Sequence, residues 1–282
     1  IDPRNGEVLA FVSKPSFDPN LFVAGIDVDN WRELNESIDK PLLNRALRGT
    51  YPPGSTFKPF MAMAALNSGK RAAGTVIHDG GSFVFGNHTF RSHGDHGLGA
   101  VDMYRSIVKS SNVYYYSLAN EMGVDLMHEQ LSPMGFGRKT GIDVEGEVTG
   151  LLPSTAWKKK AYRKPELQRW YAGETVSLGI GQGYNNFTML QMATAYSTIA
   201  SGGLRFKPRL VREITDMVQH TTQRVASDAV CSAVCTARSV GVATTRRVLT
   251  ASTTAATAAR ISAVISAIAS VIGRMAPFLF KD

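Results

Sequence analysis

Three stretches in the first 220 residues have the hydrophobic periodicity of regular elements. In GEVLAFVS, residues 6–13, apolar and polar positions alternate, which predicts a β-strand. FMAMAALNSG, residues 60–69, predicts a helix that ends at Gly69. TMLQMATAYSTIASGG, residues 188–203, predicts an amphipathic helix closed by Gly202 and Gly203. Strands, helices and turns are therefore clearly separated in this part of the chain.

The pattern changes near residue 220. Beyond it Ala, Ser, Thr, Val and Arg dominate, Glu and Asn do not occur, and Gly occurs twice. Two interpretations fit: a GC-rich gene read in the wrong frame, which we favour, or a natural low-complexity linker before a short helix. The best element there is a helix with an apolar stripe, formed by Ile261, Val264, Ile265, Ile268 and Ile272. We expect a partial domain at residues 1–216 and an atypical tail at 217–282 that does not complete the fold.

Composition excludes several classes of function. The 282 residues, 44% of them hydrophobic, are typical of a globular protein. The net charge of +8 does not indicate nucleic-acid binding. Seven basic and two acidic residues after position 220 supply five of these charges, with no Tyr or Trp there for base stacking. Cys231 and Cys235 are too close in the chain for an easy disulfide. No run approaches the roughly 20 apolar residues of a membrane span, so we expect any signal or anchor outside this segment.

The segment RGTYPPGSTFKPF carries the strongest chemical signal. Pro52-Pro53-Gly54 breaks the chain, Ser55 stands where a helix should begin, and Lys58 follows one turn later. A serine hydroxyl needs a base to become a nucleophile, and a buried, neutral lysine can accept its proton. Taken alone, Ser-x-x-Lys is more often a capping serine with a solvated lysine. The approach through Pro-Pro-Gly favours a nucleophile and its base.

A second motif, Ser110-Ser111-Asn112, lies between a polar turn and an aromatic-rich helix. Its functional interpretation gives Ser110 a proton relay with Lys58, and gives Asn112 the task of holding Lys58 and a substrate amide. The plain alternative makes Ser111 or Asn112 a helix cap. The first motif, 55 residues upstream, favours the functional interpretation.

Three longer stretches accompany these motifs: the opening IDPRNGEVLAFVSKPSFDPNLF, then GEVTGLLPSTAWKKKAYRKP and GETVSLGIGQGYNNFTMLQMATAYSTIASGG. Together with the motifs, they resemble the transpeptidase domain of class B penicillin-binding proteins, most closely the cell-elongation type. The resemblance covers roughly residues 1–216. It implies an α+β fold of the penicillin-binding and serine β-lactamase type, in which an antiparallel sheet is flanked by helices and Ser55 opens the central helix.

The resemblance also implies periplasmic D,D-transpeptidation without a cofactor or metal. The catalytic residues would be Ser55, Lys58, Ser110 and Asn112. The substrates would be peptidoglycan stem peptides ending in D-Ala-D-Ala, with β-lactams as inhibitors, at the periplasmic face of the bacterial inner membrane. The expected partners are a membrane glycosyltransferase and scaffold proteins of the elongation complex.

Lys139-Thr140-Gly141 looks like the third motif of such enzymes, but it precedes Gly181-Gln182-Gly183, whereas the family pattern places the catalytic Lys-Thr/Ser-Gly strand after that segment. Its surroundings are turn-rich, so we interpret Lys139 as a solvated loop residue. After Lys207 the next lysine is Lys281, which Asp282 follows, so this chain has no third motif. The motif's strand would supply the second oxyanion N–H, and losing one such donor slows acylation about 10² to 10³-fold.

Three weaker patterns have plain interpretations that we prefer. His88, His93 and His96 with Asp79 and Asp95 suggest an N/O metal site, but Gly-rich loops also place such residues at the surface. GIGQG, residues 179–183, is a tight turn rather than a nucleotide site. WKKKAYRKPELQR, residues 157–169, is a solvated basic face, with a membrane or glycan-phosphate role as the alternative.

Three alternatives to a transpeptidase stay open. A D,D-carboxypeptidase and a serine β-lactamase share the first two motifs, although the opening stretch and GLLPSTAWKKKAYRKP point away from both. A non-catalytic remnant or scaffold of the elongation complex would explain why the third motif is missing.

Overall fold

A computed structural model of the chain describes residues 1–92 and 96–231. The helices of these residues, in chain order, are α1 Val28–Glu36, α2 Arg45–Arg48, α3 Lys58–Asn67, α4 Met103–Val108, α5 Asn112–Met122, α6 Val124–Leu131, α7 Thr155–Ala161, α8 Pro165–Gln168, α9 Ala172–Leu178 and α10 Met189–Ala200. Short 3₁₀ helices lie at Pro19–Phe22, Gly54–Phe57 and Ser132–Met134. Each helix in this part of the chain is too short or too polar to reach across a lipid bilayer.

The strands are β1 Thr50–Tyr51, β2 Ile77–Asp79, β3 Ser82–Phe85, β4 His88–Arg91, β5 Gly99–Val101, β6 Phe187–Thr188, β7 Leu204–Phe206, β8 Glu213–Asp216, β9 Thr221–Arg224 and β10 Ala229–Cys231. Within the described ranges they form five antiparallel pairs: β1 with β6, β2 with β5, β3 with β4, β7 with β10 and β8 with β9. Helices mixed with antiparallel strands are what the sequence predicts.

The central position of α3 explains why the Ser55 motif is well defined. Seven of its ten residues are buried, and it contacts α5 and α6. Phe57 and Phe60 pack against Phe136 and Phe187, with ring centroids 5.0 to 5.6 Å apart. Burying several aromatic rings is among the largest contributions that side chains make to a core. The segment that carries Ser55 is therefore anchored at the centre of the domain.

Both predicted helices are confirmed, with small changes at their starts. α3 ends at Asn67, and Gly69 follows with a φ of +70°. α10 begins after Thr188, whose hydroxyl accepts the Gln191 N–H while the Gln191 side chain accepts the Thr188 N–H. This reciprocal capping box fixes the start of the helix. Ser55 lies in the 3₁₀ turn that runs into α3, rather than in the first turn of α3 itself.

The strand predicted for residues 6–13 is wrong. This stretch makes a single bridge between Glu7 and Arg209, and its remaining residues are irregular. Leu9 is 72% exposed and Val12 is 69% exposed, whereas Val8 and Phe11 pack against a small cluster formed by Leu47, Ile142 and Leu190. A strand needs a partner along its length, and in the described residues this segment has one only at Glu7.

The first part of the predicted tail has regular backbone structure. β8 and β9 form a hairpin, and β10 pairs with β7 through Ala229 and Phe206. The strand at 229–231 therefore adds to an element of the main domain. The helix predicted at 261–272 lies outside the described residues, as does Cys235. The division at residue 216 stays a prediction.

Candidate active site

The turn at Ser55 is built by local geometry and by its neighbours. Gly54 has a φ of +58°, a left-handed conformation that glycine adopts without a steric penalty. The Thr56 hydroxyl donates to the Pro53 carbonyl at 2.6 Å, and Phe57 is fully buried. Ser55 itself is exposed. The turn is therefore anchored from below and presents the serine hydroxyl outward.

Lys58 lies beneath Ser55 and is 1% exposed. Its ammonium donates to the Ser110 carbonyl at 2.7 Å, to Ser110 Oγ at 2.9 Å and to Asn112 Oδ1 at 2.7 Å. All three acceptors are uncharged. Burial lowers the pKa of Lys58 to about 8, while the charge of Asp79 opposes this shift. A substantial share of this amine is therefore neutral in mildly alkaline solution.

Ser110 connects Lys58 to Ser55. Its hydroxyl donates to Ser55 Oγ at 3.1 Å while it accepts the bond from Lys58. Ser110 has a φ of +54°, which is uncommon for a residue with a side chain and is often found at functional sites. When the Lys58 amine is neutral, the same path can run in the opposite direction, from Ser55 through Ser110 to the amine.

The middle residue of the second motif has the plain role that the sequence also allowed. Ser111 Oγ accepts the Tyr114 N–H at 3.1 Å and so caps α5. The same hydroxyl donates to Asp79 Oδ2 at 2.5 Å, and both residues are buried. Asp79 Oδ1 accepts the Gly81 N–H at 2.9 Å. The cap therefore ties the motif to the end of β2.

The four predicted site residues meet at one cleft of about 370 Å³, which Ser55, Ser110 and Asn112 line with Lys58 behind them. Its lining also includes Ser92, His96, Leu98, Lys109, Ile180 and Gln182. Of these nine lining residues, Leu98 and Ile180 are apolar and the other seven are polar or charged, so polar groups converge on the cleft. The structure thus brings together the residues that the two motifs predicted.

The GIGQG segment forms the opposite wall, as the turn that its sequence predicted. The Gly181 carbonyl accepts the Gly54 N–H at 3.0 Å. A Cβ on Gly181 would collide with the Gly54 carbonyl oxygen and lie 2.7 Å from Phe57 Cβ, and its φ of +72° also favours glycine. This close approach of two backbones requires glycine and sets the position of Ser55.

Lys139 is exposed in an irregular loop and does not line the cleft, as the sequence predicted. The N–H groups of Thr140 and Gly141 donate to the two carboxylate oxygens of Glu147 at 2.6 and 3.0 Å. The Lys-Thr-Gly triplet is thus a loop fastened by a carboxylate. Lys281 lies outside the described residues.

Two buried charged groups near the site were misjudged or missed from the sequence. Lys158 is 3% exposed and paired with Glu174, whereas the basic stretch at 157–169 was predicted to be solvated. Asp79 was considered only as a metal ligand. The described residues contain no cluster of three candidate metal ligands, and His93 and Asp95 lie outside them. The aromatic residues at 170, 171 and 184 are the sequence signal that could have predicted a buried position for Lys158.

Comparison with known proteins places this site in a family. Residues 1–258 match the family described as penicillin binding protein transpeptidase domain. The chain is 44% identical over 214 residues to the peptidoglycan D,D-transpeptidase MrdA of Acinetobacter baumannii, which covers 75% of this chain and 31% of that protein. It is 39% identical over 212 residues to MrdA of Escherichia coli, covering 74% and 33%. The chain thus spans about a third of these relatives.

The solved structures agree. Pseudomonas aeruginosa PBP2 in complex with WCK 5153 is similar over 94% of this chain and 52% of that chain, with a TM-score of 0.74 and 37% identity. Helicobacter pylori PBP2 in complex with MreC is similar over 74% and 38%, with a TM-score of 0.69 and 34% identity. The α+β fold predicted from the sequence is confirmed. The chain belongs to the penicillin-binding protein transpeptidase family.

Proposed function

We propose that this chain carries the acylation centre of a peptidoglycan D,D-transpeptidase of cell-wall elongation. The observation that carries the proposal is the continuous hydrogen-bond path from Ser55 through Ser110 to the buried amine of Lys58. The names of the relatives, peptidoglycan D,D-transpeptidase and PBP2, support the same activity.

In the proposed first step, Ser55 Oγ attacks the carbonyl carbon of the penultimate D-alanine of a stem peptide. A C–O bond forms, and the serine proton passes through Ser110 to the neutral amine of Lys58. Collapse of the tetrahedral intermediate breaks the peptide C–N bond. The leaving D-alanine takes up a proton by the same path, which leaves an ester on Ser55.

In the second step, the amine of a neighbouring stem peptide attacks this ester. Its proton moves to Lys58 through Ser110, the new amide bond forms, and Ser55 recovers its hydrogen. Asn112 Oδ1, which accepts from Lys58 at 2.7 Å, holds the amine in place in both steps. A β-lactam would acylate Ser55 by ring opening, and the ester would persist because no group leaves the site.

We place the reaction at the periplasmic face of the inner membrane, where peptidoglycan is cross-linked. Helicobacter pylori PBP2 has been crystallised with MreC, and another similar structure, 35% identical, belongs to a peptidoglycan synthase complex. We propose corresponding scaffold and glycosyltransferase partners for this chain.

A second candidate function is that of a non-catalytic scaffold. The observation that favours it is that residues 208–282 contain no Lys-Thr/Ser-Gly motif. The next lysine after Lys207 is Lys281, and Asp282 follows it. In this case the residues around Ser55 would keep the family geometry without turnover, because residues 208–282 supply no Lys-Thr/Ser-Gly strand to donate a second N–H to the oxyanion.

A grafted chain tests both candidates. We define it as residues 1–216 joined to the C-terminal part of Acinetobacter baumannii MrdA, where the family pattern places the Lys-Thr/Ser-Gly strand. With fluorescent penicillin, we expect one adduct per grafted chain by intact mass, and acylation of the 282-residue chain at least about 100-fold slower.

Two serine variants make the test specific. In the grafted chain, Ser55→Ala should remove the adduct, whereas Ser92→Ala, a change in another cleft-lining serine, should keep it. A persistent adduct on Ser55→Ala would show that the nucleophile is misassigned. A folded grafted chain that never labels would contradict the acylation centre at Ser55, whereas labelling of the grafted chain with none of the 282-residue chain would favour the scaffold.

A further inference from the structure

Lys158 occupies an unusual place for a lysine. It is 3% exposed, although Lys159 and Lys160 of the same helix are exposed. Its ammonium bonds to the Glu174 carboxylate oxygens at 2.5 and 2.6 Å. It also lies 5.3 to 5.6 Å from the ring centroids of three aromatic residues, Trp170, Tyr171 and Tyr184. One carboxylate and three aromatic rings therefore surround the Lys158 ammonium.

The Glu174 carboxylate joins three segments of the chain. Besides Lys158 of α7, it accepts the Tyr171 N–H at 3.0 Å, which caps the start of α9. It also accepts the Tyr184 hydroxyl at 3.3 Å. A hydrogen bond with Tyr162, burial and the charge of Glu174 raise the pKa of Tyr184, so this phenol stays a neutral donor. A single carboxylate therefore holds residue 171 and residue 184 together.

The segment between these two residues contains the wall of the Ser55 cleft. α9 leads directly into GIGQG, where the Gly181 carbonyl accepts the Gly54 N–H at 3.0 Å. The Gln182 N–H donates to the Ser177 carbonyl at 3.1 Å, and the Asn185 side chain donates to the Leu178 carbonyl at 2.9 Å. The loop is thus fixed at both ends and touches the Ser55 turn at its centre.

We propose that Lys158, acting through Glu174, is a positioning residue for Ser55, an inference that rests on the proposed function. Without the ammonium, the carboxylate is left partly buried with a charge and no cation, and it turns toward water. Residues 171 and 184 then separate, and the bond from the Gly54 N–H to Gly181 loosens. Misplacement of a reacting group by about 1 Å can slow a reaction about a hundredfold.

Stability alone does not account for this arrangement. A buried ion pair contributes little net stability compared with well-packed apolar residues, because both charges lose their hydration. What the pair adds is direction: a cation with several donors and a carboxylate with several acceptors fix the mutual orientation of three segments. That orientation is what a nucleophile on a neighbouring turn requires.

Amide hydrogen exchange of the 282-residue chain, read by mass spectrometry without any ligand, tests the inference. Pro52 and Pro53 have no amide hydrogen, so a fragment covering 52–58 reports on the Ser55 turn. We expect Lys158→Met to speed exchange in fragments 52–58 and 171–185 by at least about tenfold. Fragment 124–131, which covers α6, should change only by the factor that the loss of overall stability gives, and the additional increase in the other two fragments is measured against it.

Matched variants separate positioning from general support. Lys160→Met removes an exposed lysine of the same helix and should change no fragment. Lys158→Arg keeps the cation over the rings and should restore much of the protection at 52–58. If circular dichroism shows that Lys158→Met does not fold, Glu174→Gln takes its place, because Gln still accepts the Tyr171 N–H. Faster exchange at 52–58 in that variant supports the inference, and unchanged exchange there overturns it.

Two results would overturn the inference. One is faster exchange that stops at α7 and α9 and leaves 52–58 unchanged. The other is a uniform increase along the whole chain, which a purely structural residue would give. Since exchange needs no reaction at Ser55, a folded grafted chain that never binds penicillin covalently would defeat the proposed function and leave this result standing.

Discussion

Lys58 and Lys158 are both buried lysines, yet their surroundings differ in one respect. Lys58 is 1% exposed and donates to three uncharged oxygen atoms, from Ser110 and Asn112. Lys158 is 3% exposed and donates to the Glu174 carboxylate. Burial penalises a charge in both places, but only Lys158 has a direct opposite charge to offset that penalty.

This difference distinguishes Lys58, the proposed base, from Lys158, the proposed positioning residue. Desolvation of Lys58 among neutral acceptors outweighs the opposing charge of Asp79, so its pKa falls to about 8 and the amine can take up a proton. The ion pair of Lys158 with Glu174 instead orients the neighbouring segments. Depth of burial therefore does not identify a catalytic lysine. The charge of its hydrogen-bond acceptors does.

The largest expected effect comes from removing the base. In the grafted chain, Lys58→Ala should slow acylation by fluorescent penicillin about 10² to 10⁴-fold, because general base catalysis contributes that much. Initial labelling rates on a gel measure the effect, and circular dichroism confirms that the variant folds. A loss below tenfold would mean that Ser55 uses another base and that the comparison with Lys158 has no catalytic meaning.

Removing the Lys158 ammonium should also reduce the stability of the chain, in addition to its local effect on the Ser55 turn. Lys158→Met leaves Glu174 unpaired and should reduce the free energy of unfolding of the 282-residue chain by about 3 kcal/mol, since breaking a buried pair typically costs about 3 to 5. Urea denaturation measures this loss. Glu174 is 26% exposed, so we expect the lower end of the range.

A double variant tests whether the unpaired charge is the cause. Lys158→Met with Glu174→Gln removes both charges and should recover most of the lost stability. Lys160→Met, on the exposed side of α7, should change it by less than about 0.5 kcal/mol. An equal loss in the single and double variants would assign the effect to packing rather than to charge.

The positions of Ser55, Lys58 and the second motif could be predicted from the sequence, because their signals are local. Pro-Pro-Gly, the spacing of Ser55 and Lys58, and the break before α5 are all encoded within a few residues. The sequence offered the Ser111 cap only as the alternative interpretation, although capping also depends on a residue just three positions away. The fold class came from the resemblance of these motifs and the longer stretches to class B penicillin-binding proteins.

The features that sequence did not reveal depend on distant partners. The stretch at 6–13 alternates like a strand, but among residues 1–92 and 96–231 it pairs only with Arg209. Lys158 stands in a run of three lysines that suggests a solvated face, while the carboxylate and rings that bury it come 12 to 26 positions later. The bond from Ser111 to Asp79 crosses 32 residues. No local pattern encodes such contacts.

A third lysine extends the comparison to an exposed position. Lys139 belongs to the triplet that imitates a catalytic motif, yet it lies in a solvated loop away from the cleft. In the grafted chain, Lys139→Ala should change the acylation rate less than tenfold, or about 1.4 kcal/mol of barrier. A hundredfold loss would show that this loop reaches the cleft during the reaction.

The smallest effects concern pH. The folded-state pKa of Lys58, about 8, lies below the ordinary value of 10.5, so the neutral amine accumulates as pH rises through 8. Acylation of the grafted chain should therefore increase with pH and reach half its maximum near pH 8. Stability should also rise between about pH 8 and 10.5, where the unfolded chain binds more protons than the folded one. A profile that falls through this range would exclude Lys58 as the base.

Asp79→Asn refines that profile, because Asp79 carries the negative charge that opposes the shift at Lys58. Asn keeps an oxygen that can accept from Ser111 or Gly81 but removes the charge. Without it the protonated amine is less stabilised, so the pKa of Lys58 falls further and the rising limb moves to lower pH. Asp29→Asn, which alters an exposed pair with Arg32, should leave the limb in place. A limb that does not move would show that the acceptors of Lys58 and its burial set its pKa without Asp79, and a limb that moves to higher pH would contradict the direction assigned to the Asp79 charge.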